Sequence, residues 1–326
     1  MQGAAGYKGI VTIDGVGYPY TNETIAETQN IITPDVNGSP TSLGISEGGL
    51  TRQGNITFPI LGRAMLYDML QLFIKSETER RANRTIIIDN SFSRQTYHGA
   101  LGTFELTADP GGGLSATCGI RCGVVDSTDV ITYGDSTGGT LDSKYVDKPQ
   151  IPFWRTLVEV GTSASGVWSA VDANWVADDV SGWSISLDNQ IGGTFISAAT
   201  AIDPQGERLH MGQQKCSGNI TLINPYIDGN FKSKPNGTCI RISVYDIRDY
   251  GHDDSGGTYG YKGTPGTIFI PIVKFGEYGV PLPEPNTRIT QRLGYQVANN
   301  LIPETDSSTD SFLLRVSAST TWTDTA

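Results

Sequence analysis

The sequence is short of charge, of basic residues and of cysteine, and each shortage excludes something. Only 17% of its 326 residues are charged, and 34 acidic side chains outnumber 23 basic ones, for a net charge of −11. Such a chain lacks the basic face needed to grip nucleic-acid phosphates. Residues 1–150 carry −5 and residues 151–326 carry −6, so the acidity is spread along the body and is not a tail. Four cysteines in this length are no disulfide scaffold. On a strand, Cys118 and Cys122 share a face with Ile120 and Val124 and read as buried thiols. A zinc site with Cys216 and Cys239 would need a pair of CxxC spacings that the sequence lacks. No run approaches 18 apolar residues, so no membrane-spanning helix is expected. Met1–Gly9 has no basic n-region or apolar h-region, so no secretion signal is expected either.

Catalytic constellations are equally sparse. The three histidines, His98, His210 and His252, form no HExxH and no pair at ligand spacing. His252 sits beside Asp253 and Asp254 in a glycine-rich stretch that reads as a solvated turn. Asp178-Asp179 and Asp253-Asp254 offer oxygen ligands for calcium, but a lone acidic pair does not make a site. There is no GxSxG elbow, no P-loop and no GxGxxG after a strand. The sequence therefore nominates no catalytic, cofactor-binding or metal-ligating residue, and no cofactor. Six Asn-x-Ser/Thr sequons, two of them inside a repeated strand, suit strand edges and turns, and with no secretion signal glycosylation is not expected. Trp168, Trp175 and Trp183 are candidates for stacking on sugars, although the alternation Trp183-Ser-Ile185-Ser-Leu187 turns Trp183 to a core. A membrane β-barrel is disfavoured by the lack of dyad repeats with aromatic girdles.

What the sequence has is turns and β-formers. Glycine (40) and proline (16) are spread without a period. Asp14-Gly15, between Gly9–Ile13 and Val16–Tyr18, is a type I′ hairpin signal. Strand signals recur at 54–60, 85–89, 102–108 and 115–125, then at 155–161, 182–187, 218–223, 238–245, 267–275 and 312–317. One helix interrupts them, over Ala64–Lys75, with Met65, Leu66, Met69, Leu70 and Phe73 forming a stripe that packs on a sheet. Residues 20–50, 161–181 and 249–266 read as loops, 126–150 as a linker, and the chain after Pro281, Pro283 and Pro285 as a loose C-terminal arm. The fold class is mainly β: two tandem β-sandwich or barrel domains, 1–150 (including the linker) and 151–326 (including the arm), with a flanking helix in the first.

The halves also look alike. Gly54-Asn55-Ile56-Thr57 recurs as Gly218-Asn219-Ile220-Thr221, 164 residues on. Each copy precedes a β-rich run, Thr85–Ile88 or Cys239–Val244, and then a second one about 30 residues later. Only 20 residues separate Ile220 from Ile240, against 30 from Ile56 to Ile86, so the second half has room for a short or degenerate helix near Pro225–Phe231 at most.

Val180-Ser-Gly-Trp183-Ser-Ile-Ser-Leu187-Asp-Asn189, Gly206–Gly212 and Cys216-Ser-Gly218-Asn-Ile-Thr221 together resemble the tail tube proteins of tailed phages. Ile45–Thr57 and the helix after it resemble the same family. The resemblance implies small β-sandwich or barrel domains, six of which close a ring around a lumen. A chain with two such domains would form a homotrimeric, pseudo-hexameric ring that stacks into a tube. Its implied partners are copies of itself, other tail proteins, and, without specific binding, the genomic DNA and the tape measure protein in the lumen. No membrane partner and no enzymatic activity are implied. The implied location is the virion tail, after assembly in the host cytoplasm, and the acidity is expected to line the channel. The 20–50 segment is expected to contact the next ring. The competing expectation from composition alone is another β-rich structural or binding protein, a capsid decoration protein or a carbohydrate-binding module.

Overall fold

Asp14 and Gly15 both adopt positive φ, 49° and 88°, the pair of values that a type I′ turn demands. They join β1 (Gly9–Ile13) to β2 (Val16–Tyr20) with Ile13 opposite Val16. The computed structural model describes residues 9–32, 46–73, 84–90, 93–123, 132–135, 138–162, 176–177, 180–195, 207–223, 238–245, 250–252, 259–261, 265–276, 290–297 and 315–316. The first half continues with β3 (Asn22–Glu23), β4 (Ala26–Ile32), β5 (Ser46–Pro59), α1 (Gly62–Gln71), β6 (Arg84–Asp89), β7 (Ser93–Ala108), β8 (Leu114–Cys122) and β9 (Thr132–Asp135). The second half holds β10 (Thr156–Thr162), β11 (Val176–Ala177), β12 (Val180–Asp188), β13 (Ile191–Phe195), β14 (Glu207–Met211) and β15 (Lys215–Ile223). It ends with β16 (Thr238–Val244), β17 (Tyr250–His252), β18 (Tyr259–Tyr261), β19 (Gly266–Phe275), β20 (Thr290–Val297) and β21 (Arg315–Val316). The protein is thus mainly β, with one α-helix among the described residues.

The helix is where its apolar stripe places it. Met65, Leu66, Met69, Leu70 and Phe73 are fully buried, and Phe73 packs on Phe104 of β7 with ring centroids 4.9 Å apart. Tyr145, in the segment between the halves, stacks on Tyr18 at 5.5 Å and donates to Asp68 of the helix at 2.5 Å. That contact ties residues 138–152 to the first half. A single hydrophobic cluster runs on from there through Trp183, Ile185 and Leu187 into Ile220, Leu222, Ile240, Ile242, Ile268 and Leu293.

Both halves use one strand order. In the first, β4 pairs β5, then β8, β7, β6 and β1 follow, each antiparallel to the last. In the second, β12 pairs β15, then β20, β19, β16 and β10 follow. Read in that order, β5 corresponds to β15 and β8 to β20, and β9 on β7 corresponds to β21 on β19. The two copies of Gly-Asn-Ile-Thr fall at matching places, in β5 and β15. Gly218 matters there because Tyr295 crosses it to donate to the Ser184 carbonyl at 3.1 Å, and a Cβ at 218 would collide with that same oxygen.

Several sequence expectations change. Residues 20–50 are not all loop: 22–23, 26–32 and 46–50 are strand, and they read as loop because Thr24, Ala26, Glu27, Thr28 and Gln29 sit exposed at a sheet edge with no apolar alternation to mark them. The chain after the prolines holds β20, whose Leu293 and Tyr295 face the core while Arg292 and Gln296 face out. Short strands occur inside 126–150 and in the expected loops at 161–181 and 249–266. The expected Pro225–Phe231 helix, the Pro281–Pro285 stretch, Trp168, Trp175, Asp178-Asp179, Asp253-Asp254 and Val124 lie outside the described residues.

Candidate functional site

β7 is long enough to serve two layers. Gly99 pairs with both Arg84 of β6 and Cys122 of β8, so those strands lie on opposite edges of β7. β6 covers one edge only as far as Gly99, and beyond it β12 takes the same edge, from Asp188 opposite Thr103 to Trp183 opposite Ala108. The two halves are therefore joined strand to strand. The result is one continuous antiparallel sheet, β3/β4–β5–β8–β7–β12–β15–β20.

Period-two alternation gives this sheet two unlike faces. Ile56, Phe58, Cys118, Ile120, Phe104, Leu106, Trp183, Ile185, Leu187, Ile220, Leu222 and Leu293 turn inward and are buried. The other face is made of short hydroxyl and amide side chains. Thr57 meets Thr117 at 3.3 Å, Thr107 meets Ser115 at 2.9 Å, and Asn219 donates to Ser184 at 3.4 Å. The charges alternating onto this face are Glu105 and Asp188 against Lys215, Arg292 and Arg121. Arg121 is neutralised by Glu207, with Nε to Oε2 and Nη2 to Oε1 both at 2.7 Å. Those hydrogen bonds, before any other cause, raise the Arg121 pKa. The described part of the face is thus balanced in charge, and the net −11 of the chain is carried elsewhere.

The junction between halves is locked twice. Asn189, 2% exposed, donates from its backbone to Gly102 O at 2.8 Å and from Nδ2 to Leu101 O at 2.9 Å. Its Oδ1 accepts from Gln214, which also donates to Phe73 O beyond the helix at 3.0 Å. On the polar side, the β13–β14 hairpin lies against the first half through Glu207, which holds Arg121 and accepts from Thr51 at 3.3 Å. A concave hollow of about 660 Å³ opens at this junction, lined by Asn55, Thr103, Arg121, Asp188, Gln190 and His210 among others.

None of this resembles a reaction centre. Among the described residues no three His, Cys, Asp or Glu side chains converge as metal ligands. All four cysteines are unpaired and buried. Burial pushes the Cys122 and Cys216 thiols up to about 12 and Cys239 to about 11, and it raises Cys118 further, so they stay protonated and unreactive at neutral pH. His98 lies beside Thr85 at 3.5 Å, and His210 lies over Gly192. Trp183 is 4% exposed and its indole N–H donates to Thr156 at 3.0 Å, so it has no face to offer a sugar. The sequence could have disclosed the polar face through its Thr, Ser and Asn alternation, but the β7·β12 junction joins residues some 80 apart and leaves no local signal.

The geometry is that of a two-faced antiparallel β-sheet assembled from two halves of one strand order, with a clamped junction. The family model for phage tail tube proteins matches residues 6–267, most of the chain, and the protein belongs to that family. It is a structural protein of the phage virion tail. A comparison with curated proteins finds no match.

Proposed function

We propose that three copies close a pseudo-sixfold ring, that rings stack into the tail tube, and that the polar sheet face lines its lumen. The observation that carries this reading is the repeated strand order, with the halves joined edge to edge by β7·β12. A unit that joins its own like half by one edge extends to a closed ring when the same operation continues to the next copy. Residues 1–150 and 151–326 are then the two tube domains, copies of one ancestral unit.

Size agrees with the role. With β19, which pairs β20 as β7 pairs β8, each half supplies four strand positions, about 24 around three chains. At ~4.8 Å between strands and ~40° of tilt they close a barrel of about 50 Å backbone diameter. Side chains narrow it to about 40 Å, wide enough for a duplex about 20 Å across. The few cations of this face, Lys215, Arg292 and Arg121, are matched by Glu105, Asp188 and Glu207, so the wall offers DNA and the tape measure protein no net-positive patch to grip. The net −11 per chain lies off the described part of this face, so its repulsion of the phosphates reaches the lumen only as a long-range field that salt screens over about 10 Å. Other tail proteins cap the stack, and assembly takes place in the host cytoplasm before the tail joins the virion.

The test is the mass and symmetry of the assembled ring. Mass photometry of single purified rings is expected to give three 35.0 kDa chains, and end-on electron micrographs of them a threefold ring. Rings of six full chains, or a protein that stays monomeric at every concentration, refute the proposal.

A further inference from the structure

The polar face carries one element that is not part of its sheet. β12 and β15 stop pairing at Asp188 opposite Lys215, the chain turns at Gln190 with φ 49°, and pairing resumes at Ile191 opposite Met211 as the β13–β14 hairpin. Among the described residues no backbone ladder joins this hairpin to the large sheet. Side chains hold it instead, and they reach one place. Glu207 bonds Arg121 and accepts from Thr51, Leu209 fills the space that Gly123 leaves, and Phe195 fills the space over Gly49. Thr51 and Arg121 are odd-numbered positions of β5 and β8, like Thr57 and Thr117, and so belong to the polar face. The hairpin lies on that face, where β8 ends, as a step. The hollow at the junction is the inner corner of the step, with Asn55 and Thr103 on the sheet and His210 on the hairpin.

The hairpin itself has two unlike sides. Ile191, Glu207, Leu209 and Met211 alternate toward the sheet and are buried or half-buried. Thr194, Arg208 and His210 alternate away from it and are exposed, with Thr194 directly opposite Arg208. The described residues of this outer side include no carboxylate, because the one acid of β13 and β14, Glu207, is turned to Arg121. The sheet wall is balanced in charge, and the step that stands on it is positive.

We infer that in the tube this hairpin projects into the lumen, three to a ring, and that Arg208, with Thr194 opposite it and His210 beside it, touches the phosphates of the duplex passing through. This rests on the lumen reading above and names the contact surface within it. Packed sheet layers lie about 10 Å apart, so hairpins on three sides narrow a bore of about 40 Å to about 20 Å. That matches the width of the duplex, which is centred by three points and kept from the wall. Arg208 supplies a fixed positive charge and Thr194 a hydroxyl, groups that contact phosphate oxygens without reading sequence. Duplex DNA is the occupant because the exposed side of the step is complementary to a polyanion. Against a body of −11 per chain the contact stays weak, so the duplex slides.

Fluorescence anisotropy of purified rings with a labelled duplex of about 20 bp, between about 50 and 200 mM salt, tests this. Each chain contributes one Arg208, so Arg208→Ala is expected to weaken binding about equally for duplexes of unrelated sequence and to lower the salt slope by about 3 per ring. Over that fourfold range of salt, the variant then loses about 40-fold less affinity than the parent. Arg208 is exposed, so the variant is expected to keep the parent's melting temperature and to form rings. Lys144→Ala, which removes an exposed cation beside Asp68 of the helix, on the other side of the sheet, is expected to bind as the parent does. An unchanged salt slope for Arg208→Ala, or parent rings that bind no duplex at the lower salt, overturns the inference. Rings that ignore the duplex but hold the tape measure protein, and lose it with Arg208→Ala, overturn it too and make the occupant a protein. A reconstruction of the ring with the polar sheet face on the bore and the hairpin outside it overturns the inference and leaves the lumen reading standing. A polar face that does not line the bore overturns both.

Discussion

Replacing Asn189 by alanine removes the best-buried polar contact between the halves. The variant loses the Nδ2 bond to Leu101 O at 2.9 Å and the bond accepted from Gln214 at 2.9 Å, at a site 2% exposed. The Leu101 carbonyl is left without that donor, and Gln214 loses one of its two acceptors. Each such loss in the interior costs about 1–3 kcal/mol, so the pair is expected to cost about 3 kcal/mol. With a urea slope of ~3 kcal/mol/M for a chain of this size, the unfolding midpoint falls by about 1 M. Trp183, in β12 just before Asn189 and six residues from it, provides the fluorescence signal. Asn189→Asp is expected to be worse, because a carboxylate oxygen then faces the Leu101 carbonyl with no proton to offer it. Ser184→Ala, on the half-exposed polar face, should stay within about 0.5 kcal/mol of the parent. A midpoint shift below about 0.2 M for Asn189→Ala would show that this contact does not hold the halves together.

Three further outcomes follow from the same structure. Gly218→Ala drives a methyl into the Ser184 carbonyl and against the Tyr295 ring, so it should destabilise by about 2 kcal/mol or more in thermal or urea unfolding, whereas an alanine at Gly112, with 3.5 Å to its nearest neighbour, should be tolerated. The four buried thiols should resist a thiol-reactive dye at pH 8 for as long as the protein is native and all react once it is unfolded in guanidinium; fast native labelling of Cys122 or Cys216 would contradict their burial. Stability should decline with alkali. The folded thiols sit at about 11 to 12 against an ordinary value of 9.0, so unfolding sheds protons, and the stabilisation present below pH 9 is lost as pH climbs from 9 to 12, by up to ~1.4 kcal/mol per pH unit for each group. A flat denaturation midpoint across that window would refute the assignment.

Local physics was legible in the sequence wherever a residue's role is decided by its neighbours in the chain. Asp14-Gly15 announces the first hairpin because only residues tolerant of positive φ close a two-residue turn. Met65, Leu66, Met69, Leu70 and Phe73 announce the helix because a 3.6-residue apolar period is what a helix with one buried face produces. The alternation around Trp183 placed it in a core, where it is. What escaped was decided by distant neighbours. The β3–β4 edge is exposed, so selection has put no apolar stripe there to find, and β20 hides behind Gln291, Arg292 and Gln296, although Leu293, Tyr295 and Val297 do alternate. The clamp formed by Glu207 and Arg121 joins residues 86 apart, and neither residue type announces its partner. The balanced charge of the polar face also escaped, since net charge counts every side chain and says nothing of which face each takes.

A helical cryo-electron-microscopy reconstruction of the assembled tube tests the central claim most directly. The account predicts three chains per ring, with Thr57, Thr117, Thr107, Ser184 and Thr221 facing the lumen. A lumen lined instead by the opposite face of this sheet, or rings of six full chains, would contradict it.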